Sequence, residues 1–320
     1  MTTTNAEGTS LTHRIDFKFA FAVNHANPNG DPLNNNYPRT LPDGRGEVSD
    51  VALKRKIRNR WHDFGQEILI MPADTIVYPE PNDIYSRLTE NKAYKAFLED
   101  YSKHESDRPK AIFKTGLRQV ACQTWMDVRA FGQVFSFKNV PDKHFDKFSL
   151  GIRGPVSIWP AFSLDPVDID SIQITKSINL KPTKTGERGS DTMGRKNSIE
   201  FGLYISQGSI SVPQSQMTGF SDADANLLKK ALSSLFTNDE STARPVGSME
   251  IVRLDWWVND YADDSSADNQ PLLSPKDLFG AIQYSKKDGV ERPRSADDYV
   301  VRDNTPDYVT HEVVVDRLTK

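Results

Sequence analysis

An α+β fold is what this 320-residue sequence predicts, on three observations. Stretches that alternate apolar and polar residues occur near the start, in the middle and toward the end of the chain. Stretches with apolar residues every three to four positions lie between them. With polar insertions left out, the order reads strand, helix, strand, strand, helix, strand.

The first strand is the clearest. Ile15, Phe17, Phe19, Phe21 and Val23 fall on one side and Arg14, Asp16, Lys18, Ala20 and Ala22 on the other, so the aromatic side is expected to face a core. The loop that follows, Asn24 to Pro32, consists of turn formers, with Asn27, Asn29 and Asp31 offering polar groups at its rim. Ser49 then reads as the N-cap of a helix with Asp50 in its first turn, and Leu53, Ile57 and Trp61 make a buried stripe. That helix carries Lys54, Arg55, Lys56, Arg58 and Arg60 with no acid among them, which points to a binding face for phosphates.

Helices are expected over Pro81 to His104 and Pro109 to Phe131. Strands are expected over Gly151 to Trp159, Ile169 to Leu180 and from Ile199 to Ile205. The polar run Lys181 to Lys196 between them, with Met193 as its one large apolar residue, reads as a protruding loop or hairpin. Ser221 and Asp224 form a capping-box pattern ahead of Leu227, Leu228, Ala231, Leu232 and Leu235. A strand over Met249 to Val258 completes the series, and a late strand is expected over Thr310 to Val315. The element order is the ferredoxin-like split βαβ arrangement shared by RNA-recognition domains.

Composition narrows the function. Cys122 is the only cysteine, in an apolar helical pattern, so neither an intrachain disulfide nor a thiolate zinc site can form. The histidines are scattered, with no metal-binding spacing, so no metal and no cofactor is expected. No apolar run is long enough for a membrane span, and the polar first residues lack a signal-peptide core, which predicts a cytoplasmic protein. The net charge of −4 hides an asymmetry: from Asp255 to Lys320 there are 14 acids and 8 bases, leaving the rest of the chain at +2.

Several ordered motifs resemble one family. Asn27-Pro-Asn-Gly-Asp-Pro32, Ser49 to Asn59, Asp127-Val-Arg-Ala-Phe-Gly132, Gly151-Ile-Arg-Gly-Pro-Val156, Thr192-Met-Gly-Arg-Lys196 and Phe201-Gly-Leu-Tyr204 together are similar to the backbone subunit, of the RAMP superfamily, of type I CRISPR Cascade complexes, above all the type I-C (Dvulg) form. The resemblance spans Arg14 to Val258 and fades after Asp260. It implies one domain, 1–320, with an RNA-recognition-like palm at about 13–64, 148–180 and 197–258. A helical finger would span about 65–147, a thumb 181–196 and a C-terminal extension 259–320. It also implies a non-catalytic protein that stacks head to tail along CRISPR RNA (crRNA) and meets target DNA through the guide, with other Cascade subunits capping the ends and no membrane partner.

The RNA-binding residues expected on this basis are Asn27, Asn29, Arg39, Ser49, Lys54, Arg55, Lys56, Arg58, Arg195 and Lys196, with Met193 as a wedge at the thumb. Such a protein must accept any guide, so it should hold phosphates and 2′-hydroxyls and leave base edges free. Two rivals stay open: a metal-dependent endoribonuclease, for which Asp31 is the candidate carboxylate, and a stand-alone RNA-binding domain. The P-loop spacing of Gly189 to Gly194 fails because Arg195 and Lys196 stand where Lys and Ser/Thr belong, and the Asn27 to Asp31 run lacks the final Glu of a calcium loop.

Overall fold

The computed structural model describes residues 11–72, 80–103, 110–145, 148–175, 177–178, 193–259 and 273–318. The strand-forming start of the chain gives β1 (Arg14–Ala26), followed by the short β2 (Gly30–Asp31), β3 (Tyr37–Pro38) and β4 (Arg45–Val48) and by helix α1 (Asp50–Asp63). A helical insertion comes next: α2 (Ile84–Glu90), α3 (Lys92–Lys103), α4 (Lys110–Thr124) and α5 (Met126–Phe131). Then come β5 (Gly132–Phe135), β6 (Leu150–Arg153), β7 (Val156–Ile158), β8 (Ala161–Pro166), β9 (Ile169–Thr175) and the long β10 (Met193–Ile210). Helices α6 (Val212–Thr218) and α7 (Asp222–Ser233), strand β11 (Met249–Asn259), helix α8 (Pro275–Ala281) and strands β12 (Ile282–Lys286), β13 (Tyr299–Asp303) and β14 (Thr310–Asp316) complete the chain.

The main sheet runs β14-β11-β1-β10-β8-β4, with β7 and β9 also paired to β10, and every pairing in it is antiparallel. On one side the β1 aromatics meet α1 and α7 in a single core that includes Phe17, Phe19, Phe21, Leu53, Ile57, Trp61, Leu228 and Leu232. Phe17 stacks on Trp256 at 5.5 Å and Phe21 on Tyr204 at 5.3 Å. Each such burial stabilises by about 1.5–3 kcal/mol. The capping box on α7 is present, with the Ser221 hydroxyl accepting from the Asp224 N–H and the Asp224 carboxylate accepting from the Ser221 N–H. A second core, from Leu69 to Ile152, belongs to the helical insertion and holds Tyr94, Phe113, Phe145 and the buried Cys122.

Three expectations change. The two long helices are four shorter ones, broken at Asn91 and Trp125; His104 to Pro109 lies outside the described residues. The strand over Gly151 to Trp159 is split into β6 and β7 by Gly154-Pro155, because Pro155 offers no N–H to a ladder. The third concerns the polar side of β1. Asp16, Lys18, Ala20 and Ala22 are all buried, because α8, the β12–β13 hairpin and the segment after β14 cover that face. Lys18 Nζ donates to the carbonyls of Phe279 and Ile282, both at 2.7 Å, and so caps the end of α8. The C-terminal segment, whose role was open from sequence, is the second layer over the sheet.

Candidate nucleic-acid interface

Helix α1 starts as its sequence dictates, with the Ser49 hydroxyl accepting from the Ala52 N–H at 3.2 Å. The loop residues serve that cap: Asn29 Oδ1 accepts from both the N–H and the hydroxyl of Ser49, each at 3.0 Å. Asn27 is buried and donates to the Asn36 carbonyl at 2.6 Å, holding the β2–β3 hairpin. Arg39, half-exposed, donates to Asp31 at 3.3 Å, and Asp31 also accepts from the Leu33 N–H. Asn27, Asn29 and Ser49 therefore spend much of their polar capacity on one another and on the loop backbone.

The cations of α1 do not form one face. Lys56 is buried against Asp239, which Arg244 also reaches at 2.9 Å; burial lowers the Lys56 ammonium pKa to about 8 against the pull of Asp239. Arg58 Nε donates at 2.9 Å to Asp127, a fully buried carboxylate that also accepts from the N–H groups of Leu69 and Ile70. Arg55 donates to the Ile70 carbonyl, and burial, with Arg58 nearby, lowers its pKa to about 10. Arg60 is buried against Asp63 and Ser234. The expected single cationic ridge is thus corrected: Asp50 and Asp63 pair with Lys54 and Arg60 locally, while Asp127 and Asp239, which neutralise Arg58 and Lys56, come from distant parts of the chain that a local reading of charge cannot see.

Lys54 is different. It pairs with Asp50 at 2.9 Å, lies 5.8 Å from the Phe131 ring centre and lines a cleft of about 380 Å³. The rest of the cleft wall is Arg153, Gly154, Pro155, Val156, Ser157, Ser209, Ser211 and Gln214, with two cations, three hydroxyls, an amide and no carboxylate. Arg153 is exposed at the end of β6. Its position depends on close backbone packing between two motifs. A methyl group on Gly132, whose φ is +82°, would run into the Ile152 carbonyl oxygen, and one on Gly154 into the Ala130 carbonyl oxygen. The sequence reading missed Arg153, Ser157, Ser209, Ser211 and Gln214; the arginine within Gly151-Ile-Arg-Gly-Pro-Val156 was the available signal.

Arg195 and Lys196 sit near the start of β10, paired with Gln173 and Ile172 of β9. Alternation puts Met193 and Arg195 on one side of this ribbon and Lys196 on the other, with Ile172 and Ile174. Met193 is 60% exposed, and Gln173 donates to its sulfur at 3.4 Å. The rest of the expected thumb, residues 181–192, lies outside the described residues. Among the described residues one trio could ligate a metal, Asp255, Asp303 and His311, and the Arg253 guanidinium already bonds both carboxylates. No described helix is long and apolar enough to cross a membrane.

The protein is thus of the α+β class, with a cationic, hydroxyl-lined cleft at one end of its main sheet. A family model described as CRISPR-associated protein Cas7 matches residues 13–304, and the chain belongs to that family. It is 25% identical over 291 residues to the CRISPR-associated protein Cas7 of Haloferax volcanii, covering 83% of this chain and 79% of the relative. Two solved chains are also similar. One, from a "CRISPR RNA-guided surveillance complex, pre-nicking", has a TM-score of 0.47 and 12% identity, covering 79% of this chain and 80% of that one. The other, from a "CRISPR RNA-guided surveillance complex", has a TM-score of 0.40 and 15% identity, covering 79% and 72%.

Proposed function

We propose that this Cas7-family chain is a non-catalytic guide-RNA-binding backbone subunit of a type I-C-like CRISPR surveillance complex, in which copies stack head to tail along crRNA in the cytoplasm and present the guide to target DNA in antiviral defence. The observation that carries the reading is the cleft where Lys54 and Arg153 converge with Ser157, Ser209 and Ser211: charge for phosphates and hydroxyls for sugar, with the one amide, Gln214, accepting from the Ser211 hydroxyl. Arg39 beside the loop, and Arg195 and Lys196 on the β9–β10 ribbon at the far end of β10 from Ser209, are assigned as separate backbone contacts, while Asn27, Asn29 and Ser49 shape the start of α1. Arg55, Lys56 and Arg58 act chiefly by fixing α1, and Met193 serves as the wedge.

The sheet supports a ferredoxin-like palm: β1 lies between β11 and β10, β7 follows on β10, and α1 and α7 share one face. The separate core of the helical insertion supports a finger. The non-catalytic reading is favoured over a ribonuclease because Asp31 is engaged by Arg39 and the Leu33 N–H.

The test is co-expression with repeat–spacer transcripts of increasing spacer length, followed by native mass measurement. Protein copies rising with spacer length are expected. One copy at every length would overturn stacking, and cleaved transcript would overturn the non-catalytic role.

A further inference from the structure

Five tryptophans occur in the chain, and four of them, Trp61, Trp125, Trp256 and Trp257, are buried at 2% exposure or less. Trp159 is 55% exposed. Its backbone is held on both sides: its N–H donates to the Gln207 carbonyl at 2.9 Å, and its own carbonyl accepts from the Ser206 hydroxyl at 2.7 Å. Leaving a large indole in water on a fixed backbone forgoes the burial that makes this residue useful in a core.

The place of Trp159 says what it is for. Val156 and Ile158 of β7 point into the core, so Ser157 lies on the opposite side, and Trp159, just past the strand end but still bonded to Gln207 of β10, continues the alternation on the side of Ser157. Ser157 lines the cleft with Lys54, Arg153 and Ser209, and Ser209 is its partner in register. Trp159 is thus one side-chain repeat, roughly 6.6 Å, from the cleft wall. A cationic groove beside an exposed aromatic is the general arrangement for single-stranded nucleic acid: the groove takes the backbone and the ring takes a base, whatever its identity.

We infer that Trp159 is a stacking platform for one nucleobase of the strand whose phosphate lies in the Lys54–Arg153 cleft. This rests on the nucleic-acid reading above and adds a residue to it. Stacking uses the face of the base and leaves its pairing edge open.

Because the other tryptophans are buried, acrylamide quenching of intrinsic fluorescence reports on Trp159. The full chain is titrated with short single-stranded oligo(A) and oligo(U), with binding measured in parallel by anisotropy of labelled RNA. RNA is expected to shield Trp159 from acrylamide. Trp159→Ala is expected to weaken binding roughly 5- to 150-fold, and Trp159→Phe to restore most of it. Normal RNA binding with undiminished quenching, or wild-type affinity for Trp159→Ala, would overturn the platform and leave the backbone-subunit reading standing. No RNA binding by the wild type would overturn both. Shielding that grows with protein concentration in the absence of RNA would assign Trp159 to a protein interface instead.

Discussion

Arg58→Ala and Lys54→Ala change neighbouring cations on one helix, and they should do opposite things. Arg58 is the ion-pair partner of Asp127, whose carboxylate is 1% exposed. Removing the guanidinium leaves that charge buried with two backbone N–H donors, those of Leu69 and Ile70. Breaking a buried pair costs about 3–5 kcal/mol, and the surviving donors place this case near the lower end, about 3 kcal/mol. With a urea slope of about 3 kcal/mol per molar, the unfolding midpoint should fall by about 1 M. Lys54 loses only a part-exposed pair with Asp50, one helical turn away. Such pairs contribute about 0.3–0.5 kcal/mol, so its midpoint should move by less than about 0.2 M. RNA affinity should sort the other way. Lys54→Ala should reduce the slope of log affinity against log salt by about 0.7, one phosphate contact on a single strand. Arg58→Ala, assayed well below its midpoint, should keep the wild-type slope. The two assays are urea titration and salt-dependent RNA binding on the same preparations. An Arg58→Ala protein with a wild-type midpoint and a reduced salt slope would refute the division of this helix into structural and binding cations.

Gly132→Ala should destabilise by about 2 kcal/mol or more, since φ of +82° and the Ile152 carbonyl both oppose a side chain, whereas Gly151→Ala, with open space, should stay within about 0.5 kcal/mol; thermal midpoints compare them. For Lys56, the folded pKa of about 8 lies below the ordinary 10.5, so between those values the unfolded chain keeps a proton that the native state has released. Stability from this group therefore rises with pH across that window and is lowest below pH 8, where both states are charged. Wild type should gain stability relative to Lys56→Met between pH 8 and pH 10; a difference independent of pH would show that the ammonium is not held in a desolvated site. Truncation after Asn259 should uncover Ala20, Ala22, Leu203 and Val252 and strip Lys18 of its two carbonyl partners, giving dye-binding, aggregating protein. A monodisperse truncated chain that binds no dye would refute the covering role.

What was legible in the sequence was whatever depends on neighbours in the chain. The β1 strand with its aromatic core side, the Ser49 cap, the Leu53, Ile57 and Trp61 stripe and the Ser221 capping box all appear as expected, because each is decided within a few residues. The charges were not legible in the same way. Asp127 and Asp239 neutralise Arg58 and Lys56 from far along the chain, and only the folded topology brings them to α1. The candidate cleft was half legible for the same reason: Lys54 stood out in a basic run, while Arg153 reaches the cleft through glycine packing between two motifs that look unrelated in sequence. The second layer over the sheet was hidden because alanines and a lysine on one side of a strand read as a solvent face.

That second layer bears on how such a chain can hold RNA. A four-stranded RNA-recognition sheet presents aromatics on its open face and stacks bases across it. Here the β1 aromatics point to the helices, and the opposite face around Lys18, Ala20 and Ala22 is closed by the chain's own C-terminal segment. Among the described residues, an open margin lies at the end of the sheet, where Ser157 and Ser209 line a cleft with Lys54 and Arg153 and the exposed Trp159 follows two residues on. On the function and stacking platform proposed above, a strand seated there would be gripped by its phosphates and sugars and touched at a base face, with its pairing edges left open. Closing the broad face and keeping a narrow cationic margin is a physical route to a protein that binds every guide alike and still leaves each one able to find its complement.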